Sequence, residues 1–219
     1  MDARAFVAEL DAANQEMLAR LEPTDTLEKD ALGRLDITHL LKMALKSELE
    51  ATEIAARWLA TTKDLQVKLA LARQVGDEAK HYRLIEDRLA ELHVDLREFD
   101  PVAAGYTPLF QYLDSLTDTV ERVAAGQFTR EAIATVKNRQ FIELCEAKGD
   151  AATAALYRDT IQPDEEFHHL LGRQLLLRLA TTPEAQDRAR RAAGKTLAIA
   201  AELQRLLREK SGVHHGPGC

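Results

Sequence analysis

Asp77-Glu78-Ala79-Lys80-His81 and Asp164-Glu165-Glu166-Phe167-His168 decide how this chain is read. Each places a carboxylate and an imidazole three residues apart, which on a helix puts them on one face. Each also carries an aspartate directly before the first glutamate. Two such pieces in a helical chain are what a dinuclear metal site inside a four-helix bundle requires.

The rest of the sequence agrees with a helical chain. Its 219 residues are enough for one large domain with a real core. Ala, Leu, Glu, Arg and Lys dominate, aromatics are only 5%, and Gly and Pro are sparse, a helical profile. No apolar run of membrane-spanning length is present, and Met1-Asp2-Ala3-Arg4 has no apolar signal core, so no membrane association is expected. A net charge of −7 argues against nucleic acid as a partner. Cys145 and Cys219 are too few for a disulfide framework, and a reducing cytoplasm is the expected compartment.

Periodicity and caps divide the chain. Residues 1–35 hold an amphipathic helix over Ala3–Leu21, stopped by Pro23, and a connector over Thr26–Leu35 with some helical character. Residues 36–180 form the bundle. Asp36 caps a helix to about Ala60, Thr61-Thr62-Lys63-Asp64 is a turn, and a second helix runs to about His93. Phe99–Thr107, with Pro101 and Gly105, is a long crossover. A helix follows over Pro108–Val123, is interrupted at Ala124–Gln127, and continues to about Ala147 from a Thr129 cap. After Lys148-Gly149-Asp150, a helix over Ala151–Ala180 is expected to kink at Pro163. Residues 181–210 are a last helix opened by Pro183, and 211–219 a short disordered tail that includes His214 and His215.

Helical projection separates the acids. At roughly 100° per residue, Glu48 falls within the apolar stripe of Leu40, Leu41, Ala44, Ala51, Ala55 and Trp58. Glu50 and Glu53 fall opposite, on an expected solvated face. A carboxylate in an apolar stripe is costly unless paired, protonated or bound to a cation. Glu78 and His81 lie on the apolar face of the next helix, at a height that lets Glu78 meet Glu48. Glu165 and His168 share a face with Ile161, Gly172 and Leu176, whereas Glu166 and His169 share one with polar residues. His169 is therefore a near neighbour. On the third bundle helix, Glu143 and Glu146 lie too close to the following turn. Glu131, about one turn beyond the ideal height, is chosen. Glu78 and Glu165 would bridge two metals, His81 and His168 would give one nitrogen to each, and Glu48 and Glu131 would cap the ends. Asp77 and Asp164 are candidate acceptors for the distal ring N–H groups. Tyr82 and Trp58 are candidates for electron transfer beside the site.

Glu48, Glu78-x-x-His81, Glu131 and Glu165-x-x-His168 together resemble the ferritin-like di-iron carboxylate superfamily, over roughly Asp36 to Ala180. The aspartate before each motif glutamate looks like the ribonucleotide reductase small subunit and multicomponent monooxygenase branch. The size is closer to compact di-iron oxygenases. A haem-oxygenase-like helical fold is a separate alternative architecture; the resemblance implies an all-α, ferritin-like four-helix bundle with a long crossover and extra terminal helices. It implies a non-haem di-iron oxidoreductase with two iron ions, or manganese, acting with dioxygen on a small or apolar organic substrate. The chain lacks a rubredoxin-like four-cysteine module, so the electron donor would be a separate protein. A homodimer through the first or last helix is expected. The alternatives are a ferritin- or rubrerythrin-like protein handling iron or peroxide, and a metal-deficient helical subunit.

Overall fold

The computed structural model describes residues 1–21 and 36–211, with position 217. The Pro23 stop, the connector over 26–35, and His214, His215 and Cys219 lie outside the described residues. All regular structure among the described residues is helical. In chain order the elements are α1 (Ala3–Leu21), α2 (Ile37–Thr61), α3 (Leu65–Glu91), α4 (Pro108–Ser115) and α5 (Thr119–Val123). A π-helical segment π1 (Ala124–Arg130) leads into α6 (Glu131–Ala147). Then come α7 (Ala151–Leu156), a second π segment π2 (Tyr157–Ile161), α8 (Gln162–Leu179) and α9 (Pro183–Ser211). No helix among the described residues is long and apolar enough to cross a membrane.

The first hairpin has the expected Asp36 cap and turn, and Asp64 adds a second cap. Asp36 accepts from Thr38 N at the start of α2, and Asp64 accepts from Val67 N at the start of α3. A connection this short forces α2 and α3 to pack antiparallel along their lengths. α3 ends two residues before the expected His93, which itself adopts a left-handed φ of 59° just past the helix. Between α6 and α7, Gly149 takes a φ of 78°. That conformation lets Asp150 N reach the Cys145 carbonyl at 2.8 Å while the Asp150 side chain caps α7.

The second half departs from the expected helices in informative ways. The helix expected over Pro108–Val123 breaks at Leu116–Asp118, because Asp118 starts a new helix by accepting from Val120 N and Glu121 N. The interruption at Ala124–Gln127 is the start of a π turn. Glu131 N donates to the Gly126 carbonyl five residues back, so Thr129 caps nothing. Its hydroxyl accepts from Asn14 of α1 instead, at 3.0 Å. The same geometry recurs where the kink was expected, just before Pro163. Proline has no N–H for the Asp159 carbonyl, and the chain widens before it, with Gln162 N donating to the Tyr157 carbonyl.

Two apolar clusters flank the middle of the molecule. One joins Phe6, Val7 and Leu10 of α1, Trp58 and Val67 at the α2–α3 end, Phe128 of π1, and Ala189 and Ala193 of α9. The other joins Leu40, Leu41, Ile85, Phe141, Cys145, Tyr157 and Ile161. Glu50 corrects the expected solvated face of α2. It is buried and accepts from Thr107 N at 2.8 Å and Thr107 Oγ1 at 2.5 Å. Glu53 accepts from the Tyr106 hydroxyl at 2.7 Å. The projection treated that side as water, but the crossover and α4 lie on it.

Candidate metal centre

Four helices converge between the two clusters. α2 supplies Glu48, α3 supplies Glu78 and His81, the start of α6 supplies Glu131, and α8 supplies Glu165 and His168. These side chains are 0–3% exposed. They form two overlapping groups, Glu48-Glu78-His81-Glu165 and Glu78-Glu131-Glu165-His168, each with one ligand-capable atom per residue within 4.8 Å of the others. Glu78 and Glu165 belong to both. Glu78 turns Oε2 toward His81 Nδ1 at 3.4 Å and Oε1 toward His168 Nδ1 at 3.8 Å. Glu165 does the same with its own two oxygens, at 3.7 Å to His81 and 3.6 Å to His168. Glu48 Oε2 lies 3.5 Å from His81 Nδ1.

The aspartates of the two motifs act across the site. His81 Nε2 lies 3.1 Å from Asp164, and His168 Nε2 lies 3.0 Å from Asp77. Each motif therefore fixes the ring of the other. Facing a carboxylate, Nε2 carries the proton, which leaves Nδ1 as the atom aimed at the site. Asp77 is held in turn by Arg73 at 3.2 Å, and Asp164 by Lys80 at 2.5 Å.

Buried acceptors then face one another. Glu48 Oε2, Glu78 Oε2, His81 Nδ1, Glu131 Oε2, Glu165 Oε2 and His168 Nδ1 are all buried without a hydrogen-bond partner. Acceptors pointed together in a dry interior repel unless a positive charge sits among them. Protons are one solution. Burial, then the charge of Glu78, push the Glu48 carboxyl up to about 7 despite the opposing pull of His81. Burial and the charges of Glu78 and Glu131 raise Glu165 well above the usual carboxyl range. Burial opposes charge on His81, but Glu48 and Glu78 outweigh it and hold the imidazole at about 11. For Glu78 burial is likewise outweighed, by His81, Arg130 and His168, and its carboxyl falls below the usual range. Metal cations are the other solution. Two imidazole nitrogens and four carboxylates, arranged as two sets with two shared members, could hold a metal ion.

Other predicted residues fall elsewhere. His169 Nδ1 donates to the Phe128 carbonyl at 2.7 Å and its ring stacks on Phe128, outside both groups. Tyr82 is half-buried, and its electrostatic neighbours are Glu86, Arg83 and Asp100 rather than the cluster. Trp58 is buried against Gly126 in the other apolar cluster. Glu143 and Glu146 are exposed. Three residues close to the site escaped the sequence reading. Gln74, one turn before Glu78 on the same face, donates to Glu131 Oε1 at 2.6 Å and to Glu78 Oε1 at 3.2 Å. Arg130 Nη1 donates to Glu131 Oε1 at 2.9 Å. Tyr157, in π2, is wholly buried with an unpartnered hydroxyl, and has Glu48, Cys145 and Glu165 as electrostatic neighbours. The i,i+4 spacing could have found Gln74. The π turn before Glu165 puts Tyr157 outside any α-helical projection.

No protein-family model matches the chain, and no curated protein does. Solved structures do. One is a domain of unknown function with a heme oxygenase-like fold from Shewanella denitrificans OS217, at 11% identity and a TM-score of 0.65, covering 97% of each chain. Another is a TenA homologue from Pyrococcus furiosus, at 16% identity and a TM-score of 0.63, covering 89% of this chain and 95% of the other. The chain has a heme oxygenase-like helical fold. The all-α expectation holds, and the likeness falls on the architecture that the sequence reading kept as its alternative.

Proposed function

We propose that the chain is an oxygen-activating di-iron carboxylate oxidase or oxygenase whose ligand-bearing helices form a ferritin-like arrangement within the larger helical fold. One observation carries this reading: six buried side chains form two ligand sets that share Glu78 and Glu165, each side chain leaving an unpartnered atom. Two reduced iron ions bound there would supply the electrons that activate dioxygen.

The protein's own groups do the rest. Asp77 and Asp164 hold the ring N–H groups so that both Nδ1 lone pairs face inward. Gln74 and Arg130 hold Glu131 and leave its Oε2 available. The Tyr157 hydroxyl is a buried, unpartnered donor with Glu48 and Glu165 among its electrostatic neighbours. Ile85 and Ile161, each four residues from a candidate ligand, are wholly buried, which favours a small or apolar organic substrate. Cys145 is buried and its thiol is pushed up to about 12, so it is a poor redox thiol, and electrons come from a separate protein.

Anaerobic loading of the chelated chain with ferrous iron tests the reading. About two irons per chain are expected, the count that the bundle motif implies. Ferric charge-transfer absorption should follow on admitting air. A chain that takes up no iron is not this kind of enzyme. A large shell on size-exclusion chromatography would favour iron storage instead.

A further inference from the structure

The two halves of the cluster are alike in their histidines and unlike in their carboxylates. His81 and His168 each donate to an aspartate of the opposite motif at nearly the same distance, and each aspartate has a basic side chain beside it. The symmetry ends at Glu131. Its Oε1 accepts from Gln74 at 2.6 Å and from Arg130 at 2.9 Å. Glu78 Oε1, the oxygen turned toward His168, accepts from Gln74 at 3.2 Å and lies 3.7 Å from Arg130. On the other half, Glu48 Oε2 and Glu78 Oε2 face His81 Nδ1 at 3.5 and 3.4 Å and accept from no amide or guanidinium.

We propose that the two metal positions are unequal and fill in order: the Glu48–His81 position first, the Glu131–His168 position second, with Arg130 as the residue that sets the difference. The inference rests on the dinuclear reading above. A fixed guanidinium beside a buried carboxylate repels an incoming cation, and the low-dielectric surroundings strengthen that repulsion. Gln74 and Arg130 also occupy lone pairs that would otherwise turn to the metal. The second ion must enter a half whose negative charge is already part-neutralised. The first enters a half whose oxygens are unsatisfied. The weaker position is then the exchangeable one, where an incoming ligand displaces least.

Manganese(II), which is stable in air, is the probe. The chelated full-length chain is titrated by calorimetry, and crystals holding one equivalent are measured for anomalous scattering. Two binding steps separated by about tenfold or more are expected, with the first ion at Glu48 and His81. Arg130→Gln should draw the steps together. Glu131→Gln should keep the tight step and lose the weak one, and Glu48→Gln should do the reverse. The anomalous measurement uses the unaltered chain, so it stands even if the Arg130 variant fails to fold. Two equal steps, or a first ion at Glu131 and His168, overturn this inference alone. No manganese bound at all overturns it together with the dinuclear reading.

Discussion

The α2–α3 hairpin and the π-interrupted pair running from α5 to α8 deliver the same kinds of ligand by different means. The hairpin is regular helix from cap to cap, and 3.6-residue spacing alone aims Glu48, Glu78 and His81. In the other pair, π1 ends directly before Glu131 and π2 lies just ahead of Glu165. A π turn spends an extra residue per turn and resets the face that follows, and such turns are frequent at functional sites. In π1 it also brings backbone close to a neighbour. A Cβ at Gly172 of α8 would sit 2.6 Å from the Gln127 carbonyl carbon. The hairpin thus carries its weakness in charge, and the π pair carries it in packing.

Charge should give the largest effect. The folded chain binds a proton on Glu48 more tightly than the unfolded chain does, since its carboxyl is raised from 4.5 to about 7. That contribution is fully present below pH 4.5 and is lost as pH rises to 7, worth roughly 3 kcal/mol as an order of magnitude. Glu165 acts in the same direction, His81 extends the decline toward 11, and the lowered Glu78 opposes it on the acid side. Glu48→Gln isolates the first contribution, because glutamine stays neutral. In chelated protein followed by urea unfolding, the variant and the parent should be similar near pH 4.5. The variant should be the more stable of the two at pH 8. Loading with metal should erase the difference or reverse it, because the cation then compensates the carboxylate. Equal gaps at both pH values in the chelated chain would remove Glu48 as the source.

Packing in the π pair should give the next effect. Gly172→Ala puts a methyl group against the backbone of Gln127 and Phe128, and backbone cannot swing aside as a flexible side chain does. Overpacking of this kind costs about 1–3 kcal/mol. Because π1 runs directly into Glu131, the displacement should also reach the site. Metal binding at the Glu131–His168 position should weaken, while the Glu48–His81 position keeps its affinity. Calorimetric titration read beside thermal unfolding checks both parts. A stability loss with both metal steps unchanged would mean that π1 can move without moving Glu131.

How far the site could be read from sequence follows the same division. Glu48, Glu78 and His81 were legible because one regular helical projection covers each helix. Glu165 and His168 were legible because Gly172 and Leu176 of the same helix mark their face, although Ile161, also used, lies across the boundary in π2. Glu131 was reached against the height argument, which assumed 1.5 Å of rise per residue. Of the two stretches counted from Asp150, only the one to Glu165 departs from that ideal, through π2, and α6 from Glu131 onward is regular helix, so rise per residue alone does not place Glu131. Arg130, Gln74 and Tyr157 were not legible as site residues. An arginine, a glutamine or a tyrosine on a helix has no fixed spacing to a metal, and its role appears only once the partners across the bundle are placed. The architecture was the least legible part. The paired motifs lie on two helices and, with Glu48 and Glu131, imply four candidate ligand-bearing ones, but nothing in them says how α1, α4 and α9 pack on that core, and the match to the heme oxygenase-like structure covers 97% of the chain.

The smallest effect should come from the hairpin's own glycine. Gly76 lies inside α3, two residues before Glu78, and a Cβ there would meet nothing within 4 Å. In a regular helix a glycine in open space is a plain loss, since it gives up more backbone freedom on folding than alanine does. Gly76→Ala should therefore stabilise the chain by about 0.5–1 kcal/mol, seen as a higher urea midpoint with an unchanged slope. Metal stoichiometry and both affinities should stay as they were, because the added methyl points away from the site. The same substitution thus has opposite signs at Gly76 and Gly172. Should Gly76→Ala destabilise as Gly172→Ala does, α3 would not be the unstrained helix described here, and the contrast between the two halves would fail.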